Sequence, residues 1–413
     1  MAGWTMDYFL LKEEFIQLKD EGVNIPKNLQ ERFNALKAND ENIIKSEIDS
    51  IYNELILLPS DCNLEKEEPN DLNAIRSLRP DGPRNFRWKP SKEELLDKLH
   101  GAWTGRCVGC ALGKPVEGIG MSRDANGKLD GRKKIKKYLQ DRNSWPLRNY
   151  FPLTKSDNGI QITCHASCRE NIKYMEPDDD IHYSLVGLGV LLEKGAGFKW
   201  DDVARYWLSH IPVTAICTAE AQAILNFQNI SSRGNSPSRG SDWTSSYRNP
   251  FREWIGAQIR ADGWAYCCAG NPELAAEFAW RDAHWTHRRN GIYGEMMFAA
   301  MIAASFCESD PMKLVHIGLS EIPRNCRLAK WTNKCLDWIL QYEDFESCMD
   351  RLESELQDMH VVHTINNALV CIIALFYGKM NTTLTPAIAV MCGLDTDCNG
   401  ATVGSIVGAI AGR

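Results

Sequence analysis

The sequence has no run of about 18 consecutive apolar residues, the length that a transmembrane helix requires. Residues 1–10 lack the basic start and apolar stretch of a secretory leader, so none is predicted there. The fifteen cysteines are scattered, without the short regular spacings of a disulfide framework. We therefore expect no membrane association, free and mostly buried thiols, and a reducing, cytoplasmic location.

The sequence also has fewer basic than acidic residues. Lys and Arg number 47 against 54 Asp and Glu, which gives a formal net charge of −7. Because nucleic-acid binding needs a basic face, this balance argues against nucleic acid as the main partner. Strand-like alternation of apolar and polar residues is scarce, whereas apolar residues at helical spacings of three and four are common. The predicted fold class is all-α.

A change of composition divides the chain near residue 90. Residues 1–60 carry helical apolar spacing, and several prolines between residues 59 and 90 predict irregular structure. We predict a helical N-terminal extension with a linker over residues 1–90. Residues 91–413 are predicted to form one large domain of orthogonally packed helices.

The large domain opens on a clear helix signal. Ser91, followed three residues later by Glu94, is a capping-box pattern, and the helix is expected to run towards Gly113. Residues 230–250 are rich in Ser, Gly and Asn and are expected to form a loop. Further helices are predicted at 181–194, 201–209, 214–228, 272–283, 291–307, 345–356, 362–377 and 400–412.

Two segments carry glycine at every fourth position, which we call the glycine ladders. Glycines at this spacing form one stripe along a helix, although each costs about 1 kcal/mol of helix propensity against alanine. Close approach of another helix would compensate. We predict that the ladders pack together and bring Glu117 next to Asp397. The ladders are Gly101, Gly105, Gly109 and Gly113, and Gly400, Gly404, Gly408 and Gly412.

Acidic clusters stand beside predicted helix starts. Asp178, Asp179 and Asp180 precede an apolar segment, and Asp395 and Asp397 precede the second ladder. Taken singly, each cluster fits a helix N-terminus, where carboxylates are favourable. Three adjacent carboxylates repel one another unless a cation intervenes. Five carboxylates together suit hard divalent cations such as Mg²⁺, Mn²⁺ or Ca²⁺, and their number favours a two-metal site.

A zinc site is the competing interpretation. Cys107 and Cys110 have metal-ligand spacing, and Cys164, His165 and Cys168 follow downstream. The first two cysteines lie inside a helical glycine pattern and lack a matching second pair. Buried thiols packed beside glycine are the simpler explanation.

These landmarks, taken in order, resemble the ADP-ribosylglycohydrolase family over residues 95–413. Gly101–Glu117 is similar to the family's opening glycine-rich helix and its glutamate. Asp178–Ile181 resembles the Thr-Asp-Asp-Thr metal motif, and Asp395–Cys398 resembles the closing Asp-Thr-Asp-Thr motif. The resemblance implies an all-α ADP-ribosylglycohydrolase-like fold.

The resemblance also implies hydrolysis of the glycosidic bond between ADP-ribose and an acceptor, with two Mg²⁺ ions, or Mn²⁺, as cofactor. The partner would be an ADP-ribosylated protein or another ADP-ribosyl acceptor. Glu117 and Asp179 are the implied catalytic residues. The implied metal ligands are Asp178, Asp179, Asp180, Asp395, Asp397 and Cys398. The implied substrate-binding residues are Gly256, Ala257, Gln258, Arg260 and His287.

Three residues depart from the family pattern. Ile181 and Cys398 stand where the motifs have threonine, and Arg106 follows Gly105 where relatives often have aspartate. A thiol is a poor Mg²⁺ ligand, so a non-catalytic ADP-ribose-binding or structural protein on the same fold is one alternative. A two-metal phosphoesterase is another, because oxygen ligands permit it equally. The acceptor and the oligomeric state stay open.

Overall fold

The computed structural model contains helices and no β-strand within the residues that it describes, which confirms the all-α prediction. None of these helices has both the length and the apolarity needed to cross a membrane. Of the loop predicted at 230–250, residues 233–239 lie outside the described residues, whereas residues 230–232 and 241–246 are helical, so the loop prediction was wrong for those two segments. The described ranges are 5–36, 41–59, 61–153, 159–232 and 240–413.

Before residue 91, the described ranges contain five helices. They are α1 (Asp7–Asp20), α2 (Lys27–Ala35), α3 (Glu41–Leu55), α4 (Cys62–Glu67) and α5 (Leu72–Leu78). The last two lie where irregular structure was predicted. The N-cap of each is an aspartate: the carboxylate of Asp61 accepts from the backbone N–H groups of Asn63 and Leu64, and that of Asp71 accepts from the backbone N–H of Ala74. The prediction was therefore wrong for these segments, because such caps stabilise short helices between prolines.

The helix predicted to start at Ser91 is α6, and its N-cap Ser91 accepts a hydrogen bond from the backbone N–H of Glu94, which confirms the predicted helix start. The helices from there on are α6 (Lys92–Gly113), α7 (Glu117–Gly120), α8 (Gly131–Gln140), α9 (Asp179–Lys194), α10 (Trp200–His210), α11 (Thr218–Ser232), α12 (Ser241–Ser246), α13 (Ala261–Cys267), α14 (Pro272–Ala283), α15 (Asn290–Ser305), α16 (Pro311–Leu319), α17 (Arg327–Gln341), α18 (Phe345–Glu355), α19 (Thr364–Tyr377), α20 (Leu384–Met391) and α21 (Thr396–Ala411).

Seven of these helices were not among the predicted segments: α7, α8, α12, α13, α16, α17 and α20. Six of them have ten residues or fewer, too few for periodicity to identify a helix. The exception is α17, whose 15 residues carry a buried face at helical spacing. Their positions depend on packing against the longer helices.

The core is organised around helices that are buried on all sides. Every residue of α15 is buried, and so is nearly all of α19 and α21. Helices that are apolar all round belong in the centre of a large fold. All fifteen cysteines are free and most are buried, in agreement with the predicted thiols.

The two glycine ladders pack against each other in antiparallel helices. Side chains are excluded there, because a Cβ on Gly101 would lie 2.3 Å from the carbonyl oxygen of Gly408. At the other end, a Cβ on Gly113 would lie 2.3 Å from the backbone nitrogen of Asp397. The end of α6 therefore abuts the start of α21. This contact confirms the predicted packing of the ladders and places Glu117 beside the second acidic cluster.

Buried hydrogen bonds and ion pairs connect the N-terminal helices to the rest of the protein. Gln17 Nε2 donates to Glu253 Oε2 at 2.9 Å. Arg252 Nε donates to Glu21 Oε1 at 2.8 Å, and Arg252 Nη1 donates to Glu14 Oε1 at 2.9 Å. Buried charges need such partners. The domain boundary near residue 90 stays a prediction.

Candidate metal and substrate site

An acidic cavity of about 150 Å³ lies where α7, α9 and α21 begin. Chain segments that are distant in sequence converge on it because the ladder packing brings the end of α6 to the start of α21. Its remaining wall is largely apolar. The carboxylates that line it are Glu117, Asp179, Asp180, Glu220, Asp395 and Asp397.

Three of these carboxylates are close enough to bind one cation. Oxygen atoms of Glu117, Asp395 and Asp397 all lie within 4.8 Å of one another. Asp395 follows Leu394, which has a left-handed φ of 59°. Such strained backbone is costly for a residue with a side chain and tends to be kept at functional sites. Asn367 Oδ1 accepts a hydrogen bond from the backbone nitrogen of Asp395 at 3.1 Å, and so fixes this turn.

The first acidic cluster approaches from α9. Asp178 is the N-cap, and its Oδ1 accepts from the backbone nitrogen of Asp179 at 2.9 Å. Its other oxygen lies 3.2 Å from Lys114 Nζ. Asp179 and Asp180 line the cavity itself, whereas Asp178 does not. The cluster thus divides into one capping residue and two residues that face the cavity.

Arg106, one of the departures from the family pattern, fixes the start of α9. Its guanidinium is fully buried and donates to the carbonyl oxygen of Asp180 at 2.7 Å. It also donates to Asp262 Oδ2 at 2.6 Å. Arg106 and Asp262 therefore form a buried ion pair directly behind the cavity. The pair compensates the charge that an arginine introduces at this position.

Crowding raises the pKa values of the site carboxyls. The charge of Asp397 and then burial raise the pKa of Glu117 to about 9. Burial, reinforced by the charge of Asp178, raises the pKa of Asp397 to about 6. Burial also raises the pKa values of Asp179 and Asp180 well above their ordinary range. Repelling carboxylates of this kind are stabilised by a cation.

The chemistry of the donor set fits a hard divalent cation. Asp180 Oδ1 and Asp397 Oδ1 are buried without a hydrogen-bond partner among the described residues. An unpaired buried carboxylate oxygen is costly unless a cation or donor meets it. Cys398 lines the cavity, but burial raises the pKa of its thiol well above the ordinary value. The close triad contains only oxygen ligands, which favours Mg²⁺ or Mn²⁺ over zinc.

Of the predicted substrate-binding residues, Gly256 alone lines the cavity. A Cβ on Gly256 would lie 2.6 Å from Glu220 Oε1, so glycine permits the close approach of these residues. Ala257 and Gln258 are fully buried away from the cavity wall. Their predicted contact with substrate stays a prediction.

Arg260 and His287 lie behind the cavity in a buried polar network. Arg260 bonds to Glu220, donates to Asp282 Oδ2 at 2.6 Å, and donates to Thr286 Oγ1 at 2.8 Å. Thr286 Oγ1 lies 2.7 Å from His287 Nδ1. Burial lowers the pKa of His287 well below its usual value, so the ring is neutral. In this arrangement both residues hold the cavity wall through Glu220, and their predicted contact with substrate is untested.

Two residues of the site, Glu220 and Asn367, were not predicted from the sequence. Glu220 is fully buried, lines the cavity, and leaves its Oε2 without a hydrogen-bond partner in the described part of the chain. Its only sequence signal was an acid near the start of a helix. Asn367 accepts from both Asp395 and Asn399, and it lies in an apolar helix that gave no indication of a site.

The fold and the cavity define an all-α protein with a buried carboxylate site at a glycine helix pair. Residues 91–413 match the sequence profile of the ADP-ribosylglycohydrolase family, so the chain belongs to that family. Membership in this family supports the assignment of the protein as a hydrolase of ADP-ribose linkages in general. The family is generally metal-dependent, in agreement with the acidic triad.

No curated protein matches the sequence. One similar solved structure is described as an "ADP-ribosylglycohydrolase-related protein complex". The structural alignment of the two chains has a TM-score of 0.49 and 17% sequence identity, and it covers 78% of this chain and 89% of the other.

Proposed function

We propose that this protein is a Mg²⁺-dependent hydrolase that cleaves the glycosidic bond between ADP-ribose and an acceptor. The observation that carries the proposal is the triad of Glu117, Asp395 and Asp397, whose oxygens lie within 4.8 Å of one another in a buried cavity. The substrate would be an ADP-ribosylated protein or another ADP-ribosyl acceptor.

The carboxylates divide into two groups that would hold two cations. Asp395 and Asp397 come from the start of α21, and Asp179 and Asp180 come from the start of α9. The chemistry that bound Mg²⁺ supplies is positive charge, which orients ribose oxygens and makes an attacking water more acidic. Asp178 contributes through its N-cap bond and its ion pair with Lys114.

The chain's own residues account for proton transfer and orientation. Glu117 or Asp179 accepts the proton of the attacking water, since both carboxylates line the cavity. The free Oε2 of Glu220 accepts a hydrogen bond from a sugar hydroxyl. Negative charge around the cavity stabilises the oxocarbenium-like transition state of glycosidic cleavage.

The size of the cavity supports reaction at the terminal ribose. Its volume of about 150 Å³ is well below the roughly 300–1,000 Å³ of pockets that enclose whole drug-sized ligands. A sugar ring is of the right size, and the rest of ADP-ribose would lie outside. Trp254 and Val362 form an apolar wall that limits water at the reacting carbon.

The test is release of ADP-ribose from an ADP-ribosylated protein, with and without Mg²⁺. Asp179→Asn and Asp397→Asn are expected to abolish Mg²⁺-dependent release. Asp201→Asn is the matched control, because Asp201 lies in the first turn of α10 and its ion pair with Arg205 is on the surface. Full activity in both cavity variants would refute the site.

Two further outcomes separate the alternatives. If Mg²⁺ raises the melting temperature but no ADP-ribose is released from any substrate, a non-catalytic ADP-ribose-binding protein is the better assignment. If simple phosphodiesters are cleaved instead, the site is that of a two-metal phosphoesterase.

A further inference from the structure

A second cavity lies between the N-terminal helices and the large domain. Its volume is about 460 Å³, within the range of pockets that hold small-molecule ligands. Residues from α1, α3 and the segment after α3 form one wall, and residues 243–252 and 288–289 of the large domain form the other. Ile56 and Ser246 are exposed at its edge, so the cavity is open to solvent.

The wall from the large domain is cationic. Its guanidinium groups outnumber the two carboxylates of the lining, Glu14 and Glu21, by four to two. Three further carboxylates pair with the arginines from outside the lining, Asp7 and Asp49 with Arg248 and Asp242 with Arg288. Planar guanidinium groups suit the oxygens of phosphate. The four arginines are Arg248, Arg252, Arg288 and Arg289.

The wall from the N-terminal helices is apolar and aromatic. Leu18, Val23, Leu55 and Leu58 line it, together with the ring of Tyr52. Trp243 and Tyr247 add two stacked rings from the large domain, with centroids 4.8 Å apart. A flat aromatic body gains dispersion and stacking energy against such surfaces. The cavity therefore combines one surface for an anionic group with one for an aromatic group.

Unpaired polar atoms surround this cavity. The hydroxyl of Tyr52, which is 2% exposed, has no hydrogen-bond partner among the described residues. The same holds in the described structure for Glu14 Oε2, Arg248 Nε and Arg289 Nη1. Arg289 Nη1 lies 3.4 Å from Glu21 Oε2, outside good hydrogen-bond geometry. Buried donors and acceptors of this kind are expected to meet a ligand or water.

We propose that this cavity is a second ligand site, which binds a nucleotide: a phosphate carried on a flat aromatic body. The arginines bind the phosphate, the aromatic wall holds the base, and Glu14 Oε2 accepts a hydrogen bond from a sugar hydroxyl. The site depends on residues 1–90, which lie outside the family match at 91–413.

This site is adjacent to the acidic cavity and separate from it. Arg252 lines the cationic cavity, whereas Trp254, Ile255 and Gly256 of the same segment line the acidic one. Among the residues that the structure describes, none lines both cavities. Binding at the second site therefore does not require the metal-binding carboxylates, and a nucleotide held there would contact the segment that forms the wall of the acidic cavity.

The test is calorimetric titration of the full-length, metal-free protein with AMP, with adenosine and with inorganic phosphate. AMP is expected to bind once per chain, at least about tenfold more tightly than either fragment probe. Arg289→Gln is expected to weaken AMP binding about tenfold, the effect of losing a hydrogen bond to a charged group. Arg351→Gln, which removes an exposed guanidinium outside the cavity, is the control.

Tyr52→Phe separates ligand binding from folding. Removal of an unpaired buried hydroxyl is expected to leave the melting temperature unchanged or higher, yet to weaken AMP binding several-fold. Asp397→Asn should bind AMP as the wild type does, which distinguishes this site from the acidic cavity. AMP binding that is lost in Asp397→Asn, or unaffected in both Arg289→Gln and Tyr52→Phe, overturns the proposal. Equal affinity for AMP and phosphate indicates an adventitious anion only and also overturns it.

Discussion

Gly109 of α6 and Gly400 of α21 touch through their backbones. A Cβ on Gly109 would lie 2.0 Å from the carbonyl oxygen of Gly400 and 2.9 Å from the backbone nitrogen of Ala401. No real Cβ tolerates such distances, so any side chain at this position separates the two helices. Because α21 also begins with the second acidic cluster, their separation would displace Asp397 from Glu117.

Gly109→Ala is expected to lower the free energy of unfolding by about 3 kcal/mol, the upper range for overpacking, because the opposing atoms are backbone and cannot move aside. Metal binding should weaken in the same variant. Denaturant unfolding and calorimetry measure the two effects. Gly197→Ala is the control, since nothing lies within 4 Å of its added Cβ. A loss below about 0.5 kcal/mol for Gly109→Ala, the usual range of surface changes, would contradict the packing.

Arg106→Gln is expected to destabilise the protein by about 3–5 kcal/mol, because it leaves the carboxylate of Asp262 buried without its cation. The double variant Arg106→Gln/Asp262→Asn should lose less than the sum of the two single changes. A double-mutant cycle of unfolding free energies gives this coupling. Strictly additive losses would mean that Arg106 and Asp262 do not form a coupled ion pair.

Metal binding is expected to release protons near neutral pH. The pKa of Glu117 in the metal-free protein is raised to about 9, so its carboxyl is protonated at about pH 7.5. A cation held next to Glu117 favours the ionised form of its carboxyl, so the affinity for Mg²⁺ should rise as the pH rises towards 9 and fall as the pH falls. Calorimetry in two buffers of different ionisation enthalpy measures the released protons. Glu117→Gln should release fewer protons, and an unchanged count in that variant argues against the assignment.

Substitutions of the neighbouring residues Glu67 and Glu68 test how the segment before residue 91 is anchored to the rest of the protein. Glu68 is 1% exposed and binds Arg327 and Asn290, whereas Glu67 pairs with Lys330 on the surface. Glu68→Gln is expected to cost about 3 kcal/mol, since it leaves Arg327 with less countercharge in a buried site. Glu67→Gln should change stability by no more than about 1 kcal/mol, the range of exposed pairs. Thermal or denaturant unfolding compares them, and equal effects would contradict this anchoring.

The clearest sequence signals were those carried by repetition or by unusual chemistry. Glycine at every fourth residue predicted a close helix pair, and three adjacent aspartates predicted a crowded carboxylate site. Short helices such as α13 and α20 were missed because fewer than ten residues give too little periodicity. The helical caps at Asp61 and Asp71 were overlooked among the surrounding prolines.

Within the site, residues with local motifs were found and residues with only tertiary partners were not. Asp179 and Asp397 belonged to visible clusters and line the cavity. Glu220 and Asn367 looked like ordinary helix residues, and their roles depend on neighbours far along the chain. Arg260 and His287 are bound within the interior, a placement that no local pattern indicates.

The sequence by itself determined the helical class, the glycine contact and the carboxylates that meet at its end, because these follow from periodicity and from charge repulsion between neighbours. Only the tertiary structure decided which polar groups face a cavity and which are paired behind it. It also brought Glu14 and Tyr52 of the N-terminal helices opposite the arginines of the large domain. Such relationships join residues that are more than 190 positions apart, and only the packing of the whole chain specifies them.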